Sequence, residues 1–416
     1  MQFFLDNLLK NPPLLLGLIS MIGLLLQRKN ISDVIKGAFL AAFGMLILTE
    51  GVNMLISSIA PINRIVQTEI GASVSEGLSD VTFTGEYGGV IGISMFVGLV
   101  LHLLIARFTP IKTIFLTGHM LWWFPFVVVA AGVESNLSKT ALIVLGAVLS
   151  ALYWSIMPWI MRRFVWDVTG DESFLIGHPT GILSIVSGYI ARIFGNKEKS
   201  TENLKLSKNL SFFKEISITG AIMMFIIYIV AGIFSNEFVP QEQTLIIYAL
   251  NSALKFGVGL LVMLYGVRLL INQIIPAFEG IAQKVVPGAK PAFDVPLLFG
   301  YKPNAVIIGF MVAMVVSTIL VILANITNVF GVILVPLIIT SFFECGGAAV
   351  IGEGQGGLRG AVIGTCVSAI LMVALVGVSA VIYKTTIENW IIVFGGNDLS
   401  LMGILGNLIS KLLGVF

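Results

Sequence analysis

Charge is what this sequence lacks. Lys, Arg, Asp and Glu together supply 11% of its 416 residues, while 57% are hydrophobic. Soluble proteins carry about a quarter of their residues as charges, and a chain this apolar cannot hide its surface from water. Lipid is the solvent that remains. The net charge of +2 makes no case for nucleic acid as a partner. Only two cysteines occur, Cys345 and Cys366, both in apolar stretches, with no CxxC or Cys/His spacing. That excludes a disulfide scaffold and a zinc motif. No basic region precedes the first apolar run, so Pro13–Gln27 reads as a mature span rather than a cleaved leader. No nucleophile-and-base set, metal motif or nucleotide loop occurs. The chain is therefore expected to do no covalent chemistry by itself and to need no cofactor.

What is present in abundance is apolar runs. A bilayer crossing takes about 20 residues. Stretches of that kind fall at 12–27, 37–59, 87–106, 113–133, 140–161, 216–235, 245–271, 304–325, 330–350, 360–383 and 390–416. The expected fold is an all-α polytopic membrane protein with about eleven transmembrane helices. The stretch 173–190 is short and broken by Gly177, Pro179, Gly181 and Gly188. It suits a re-entrant hairpin, because irregular backbone survives at depth only where protein or a cavity covers it.

Basic residues set the expected orientation. With the N-terminus outside and one crossing per segment, Arg28, Lys29, Arg107, Lys112, Arg162, Arg163, Arg192, Lys290, Lys302 and Lys411 fall inside. Lys10, Arg64, Lys139 and Lys384 fall outside, among acids such as Glu134. The expectation is N-terminus out and C-terminus in.

The chain also repeats itself. Gly51 to Pro61 aligns without gaps to Gly266 to Pro276, and Gly44 then falls on Gly259. In the expected topology the two copies run in opposite directions, as in alternating-access transporters. This divides the chain into a first half, 1–236, with the hairpin near 173–190, and a second half, 237–416.

Ionisable side chains at membrane depth default to functional candidates. Two Gly-His pairs stand out, in Leu116-Thr-Gly-His119 and Ile176-Gly-His178-Pro179. Glycine lets a ligand approach closely, and imidazole exchanges hydrogen bonds with hydroxyls. Asp294 lies in Lys290-Pro-Ala-Phe-Asp-Val-Pro296, bracketed by prolines, where it can bind sugar hydroxyls or simply cap a helix. Glu344 precedes the glycine-rich run from Cys345 to Gly357, and Glu353 lies within it. That run suits either an anionic or polyhydroxyl ligand or close helix packing. Glu50 lies mid-span beside Gly51, and Lys255 mid-span in the matching region of the second copy, where an ion pair or a coupling site would fit. Glu50 or the histidines keep open an alternative, an ion-coupled secondary transporter of a small polar solute. His102 reads as structural. Trp122, Trp123, Trp154, Trp159 and Trp166 suit interfacial belts, with Trp122 and Trp123 also able to stack on a sugar ring.

At these residues the chain resembles the ascorbate family of phosphotransferase-system permeases, the membrane IIC component. The resemblance runs nearly end to end. Ile114-Phe-Leu-Thr-Gly-His119, Phe174-Leu-Ile-Gly-His178, Glu202-Asn-Leu-Lys-Leu206, Pro303-Asn-Ala-Val306 and Gly356-Gly357 carry it. It implies a homodimer in the bacterial inner membrane, whose V-shaped part and mobile core interleave across both halves. It implies elevator-like inward transport of a sugar acid or polyol such as L-ascorbate. Separate cytosolic IIB and IIA proteins would supply the phosphoryl group. The substrate contacts it implies are Gly118, His119, His178, Asp294, Glu86 and Tyr87, with Trp123 in the same site. Three positions depart from the family pattern: Trp123 and Pro179 each stand where the family places Gln, and Val52 where it places Ser.

Overall fold

The computed structural model describes residues 12–69, 78, 80–135, 137–203, 215–234, 239–284, 286–387, 391 and 394–414. Lys10, Asn11 and residues 204–214 lie outside them. The helices are α1 (Pro12–Leu26), α2 (Ile31–Glu69), α3 (Asp80–Phe108), α4 (Gly118–Val133), α5 (Lys139–Thr169), α6 (Gly181–Phe194), α7 (Ile216–Phe234), α8 (Leu245–Lys284), α9 (Pro296–Phe299), α10 (Pro303–Thr327), α11 (Ile338–Ile382) and α12 (Asp398–Leu413). Six of them contain stretches long and apolar enough to cross a bilayer. The apolar helices in α1, α4, α6 and α7 are shorter. The protein is an all-α polytopic membrane protein, as its composition requires.

The helices form two bodies. In one, α1, α2, α7 and α8 pack together; in the other, α3 to α6 and α10 to α12 do. The first body is built on the repeat. A Cβ at Gly51 would meet the Met263 backbone nitrogen at 2.3 Å, one at Gly44 would meet that of Leu270 at 2.6 Å, and one at Gly266 that of Leu48 at 2.3 Å. As position rises along α2 it falls along α8, so these helices run antiparallel. Small residues let the two backbones touch, which lipid alone would not drive.

The second body hides a small sheet, the one sheet among the described residues. β1 (Thr113–Phe115), β2 (Leu175–Ile176) and β3 (Lys290–Phe293) form a parallel sheet in the order β1-β3-β2. Buried backbone must be paired in lipid, and here three separate reversals pair with one another. The outer edge of β1 is satisfied too: Phe115 N donates to His102 Nε2 at 3.0 Å, and His102 Nδ1 lies 2.7 Å from Ser155 Oγ. His102 is thus structural, as expected. Trp154 packs against both residues and is fully buried, so it belongs to this core and not to an interfacial belt.

Several expected spans take a different form. Residues 113–133 are a strand followed by a half-length helix. The stretch 173–190 enters as β2 and returns as α6, and the return is fixed by Arg192 Nη2 at 3.2 Å from Asp167 Oδ2 at the end of α5. In 330–350 the helix begins only at Ile338; it continues through 360–383, broken at Gly356 and at Gly357, whose φ is +59°. A Cβ at Gly357 would meet the carbonyl oxygens of Asn196 and Lys199 at 2.2 and 2.4 Å, so glycine is required there. Below the break Glu353 Oε1 accepts from Ser200 Oγ and Thr201 N, while Glu202 accepts from Asn304. Burial raises the Glu202 carboxyl above its ordinary pKa, and those hydrogen bonds oppose the rise.

The last expected span, 390–416, is corrected. Its helix starts only at Asp398, and Ser410 Oγ lies 2.9 Å from Ser135 Oγ. The end of α12 therefore shares a face with the 133–138 loop, which the expected topology put on the opposite side from Lys411. A helix of this length starting in the interior reaches one face only.

Candidate functional site

Each strand ends where a site residue begins. Thr117 follows β1 and leads to His119 in the first turn of α4. Gly177 follows β2 and leads to His178. Asp294 follows β3 directly. Because the strands are parallel and in register, with Phe115 and Leu175 both opposite Ala292, all three side chains emerge at the same end of the sheet. His178 Nδ1 lies 2.6 Å from Asp294 Oδ1, and His119 Nε2 3.9 Å from Asp294 Oδ2. The other nitrogen of His178 faces Glu344 Oε1 at 3.6 Å. Asn397 Nδ2 donates to that same oxygen at 2.7 Å.

A second layer holds this group in place. Asp398 is fully buried and caps α6, its Oδ2 accepting from Gly181 N at 2.7 Å and its Oδ1 from Ile182 N at 2.9 Å. A carboxylate suits the positive end of a helix. The Tyr153 hydroxyl donates to Asp398 and lies 3.1 Å from the His178 carbonyl oxygen. Thr180 Oγ1 donates to the Glu344 carbonyl at 2.8 Å. Asn397 caps α12 through Leu399 N at 3.0 Å. The start of α4 differs: Thr117 provides no side-chain cap beside His119, and Met120 N donates to the Thr117 carbonyl at 3.0 Å.

The group opens on a cavity of about 420 Å³ between the two bodies. One wall comes from α2: Met45, Leu48, Thr49, Val52, Asn53 and Ile56, a single helical face. The other holds His119, His178, Asp294, Glu344 and Asn397, with Trp123, Phe343 and Phe394 beside them. A volume of this order suits one small molecule.

The structure brings His119, His178, Asp294 and Trp123 to one cavity, and Gly118 starts the helix that carries two of them. Val52, on the α2 wall, joins them. Pro179 does not line the cavity; its carbonyl accepts from Asp398 N at 3.0 Å. Glu86 and Tyr87 lie apart from this group. Glu86 is exposed and neither lines the cavity. Tyr87 stacks on Phe83 at 4.8 Å, Phe83 meets Phe126 at 5.2 Å, and Phe126 meets Trp123 at 5.0 Å. This aromatic stack stands between Tyr87 and the cavity. Glu50 and Lys255 are exposed, and no ion pair joins them. Asn397 and Asp398 escaped sequence reasoning; the only signal was an Asn-Asp pair after Gly395-Gly396, a helix-start pattern.

Two helical bodies around a polar site at the ends of broken segments define a membrane permease. The chain belongs to the family of PTS system sugar-specific permease components, whose model matches residues 7–398. It is also similar to the "Ascorbate-specific PTS system EIIC component" of Mycoplasma pneumoniae, with 27% identity over 424 aligned positions that cover 87% of this chain and 64% of that relative. The chain thus spans a little under two thirds of the length of the relative it matches.

Proposed function

We propose that this chain carries a sugar acid or polyol, L-ascorbate-like, inward across the bacterial inner membrane as the IIC subunit of a phosphotransferase system. The carrying observation is the placement of the cavity. Its polar wall belongs wholly to the body of broken helices, and its mostly apolar wall to the α2 face of the other body. That division supports an elevator movement, in which the body holding the sugar slides along α2 and α8. The antiparallel glycine packing of the repeat supports two inverted halves. The uncapped start of α4 beside His119 supports a substrate with anionic or hydroxyl oxygens, since helix starts favour negative charge. Imidazoles, carboxylates and Asn397 serve several hydroxyls at once.

The phosphoryl step falls to a cytosolic IIB protein supplied by IIA, with this chain as a homodimer and its N-terminus outside. Membrane vesicles test the proposal. Uptake of labelled L-ascorbate or a related polyol should require IIB and deliver phosphorylated product. Uptake that ignores IIB and collapses with a protonophore would overturn it in favour of ion-coupled transport.

A further inference from the structure

His119, His178 and Asp294 present one ligand atom each, all within 4.8 Å of one another. We propose that this trio is a binding site for a divalent transition-metal ion of the zinc type, and that the ion excludes sugar from the cavity. No sequence spacing announces such a site, because the three ligands come from three distant reversals.

Asp294 is the pivot. Its two oxygens face different rings, His178 Nδ1 at 2.6 Å and His119 Nε2 at 3.9 Å. Zinc holds nitrogen and oxygen at about 2.0–2.2 Å in a tetrahedron, which sets neighbouring donors roughly 3.3–3.5 Å apart. The two observed separations lie on either side of that value, and the three ligand atoms, one from each residue, fall within 4.8 Å, so side-chain rotations that move them by about an ångström would complete the set.

The surroundings match what such a ligand set needs. A metal-bound imidazole usually turns its other nitrogen to a carboxylate that is itself held. His178 Nε2 faces Glu344 Oε1 at 3.6 Å, and Asn397 holds that oxygen at 2.7 Å. Glu344 Oε2 is buried with no hydrogen-bond partner, which leaves the carboxylate free to shift towards the ring. The fourth coordination position opens on the cavity, where the His119 side chain is 40% exposed. Three protein ligands and one open position describe an accessible zinc site rather than a closed structural one. Two imidazoles favour zinc, nickel or copper over magnesium or calcium, which prefer oxygen alone.

Metal binding stands independently of the transport reading; only the exclusion of sugar rests on it. The test uses the purified full chain in nanodiscs with any affinity tag removed. Zinc chloride is titrated by calorimetry and by thermal unfolding, with magnesium chloride as control. The expected result is a single saturable zinc site per chain, no response to magnesium, and binding at least about tenfold weaker in Glu344→Gln. It should be lost in His119→Ala, whose half-exposed position leaves the fold intact. No saturable binding up to about 1 mM, or binding unchanged in His119→Ala, would overturn the site. In vesicles, zinc should raise the apparent KM for sugar without changing the maximal rate, and chelation should reverse this. If zinc binds as expected but uptake is indifferent to it, the metal site stands and the cavity is not where sugar binds.

Discussion

Asp398 Oδ2 accepts from Gly181 N at 2.7 Å across 217 positions of the chain. That one contact couples the cap of α6 to the first residue of α12, and so sets the position of His178 between them. Asp398→Ala should remove the cap, the Tyr153 partner and a buried charge together. Loss of a cap alone costs about 1 kcal/mol, and orphaned buried donors cost about 1–3 kcal/mol more. Thermal unfolding in detergent should show that loss, with Asp398→Asn intermediate. Unfolding temperatures equal to wild type in both variants would contradict the coupling.

His119→Ala and Asp294→Asn should each abolish stabilisation by sugar ligand while the protein stays folded. The contrast is expected because both side chains face the cavity, whereas the cap beneath them is untouched. The check is the shift of the melting curve with ligand, read beside the elution profile. Undiminished ligand shifts in both variants would remove these residues from the site.

Trp123→Gln should raise affinity for L-ascorbate. It replaces an indole on the cavity wall by a side chain with an amide donor and acceptor, and one added hydrogen bond is worth about 1 kcal/mol, a severalfold change in affinity. A binding isotherm that weakens instead would mark the indole as a stacking surface for the sugar ring.

Three glycine variants should rank by the room each offers. Gly266→Ala places a methyl group 2.3 Å from the Leu48 backbone and should cost about 1–3 kcal/mol or more. Gly259→Ala meets its nearest atom at 3.1 Å and should cost less. Gly85→Ala meets nothing within 4 Å and should gain about 0.5–1 kcal/mol by helix propensity. Melting temperatures in any other order would argue against close α2–α8 contact.

The sequence was legible where a physical rule is strong. Apolar runs marked the chain as membrane-embedded, glycine and proline marked the 173–190 reversal, and two Gly-His pairs with Asp294 pointed to a polar site. Strands of two to four residues left no periodic trace. Their pairing across distant segments is a tertiary fact, so 113–133 read as a plain span. Asn397 and Glu344 acquire meaning only through each other. The placement of Tyr87 against the Phe83 and Phe126 rings, apart from the cavity, is likewise a tertiary fact that the sequence does not display. In the 390–416 run, apolar length cannot tell a full crossing from a helix that starts only at Asp398. The expected topology put Lys411 on the side opposite the loop after α4, whereas Ser410 packs against Ser135 of that loop.

The strand order β1-β3-β2 carries a consequence for biogenesis. The first two strands to leave the ribosome never touch each other; each pairs only with the one made last. Until Phe293 is in place, the edges of β1 and β2 that face β3 wait in the membrane without partners. Truncations ending before Lys290 should therefore be held by an insertase or degraded, and full-length synthesis should be the step at which protease resistance appears.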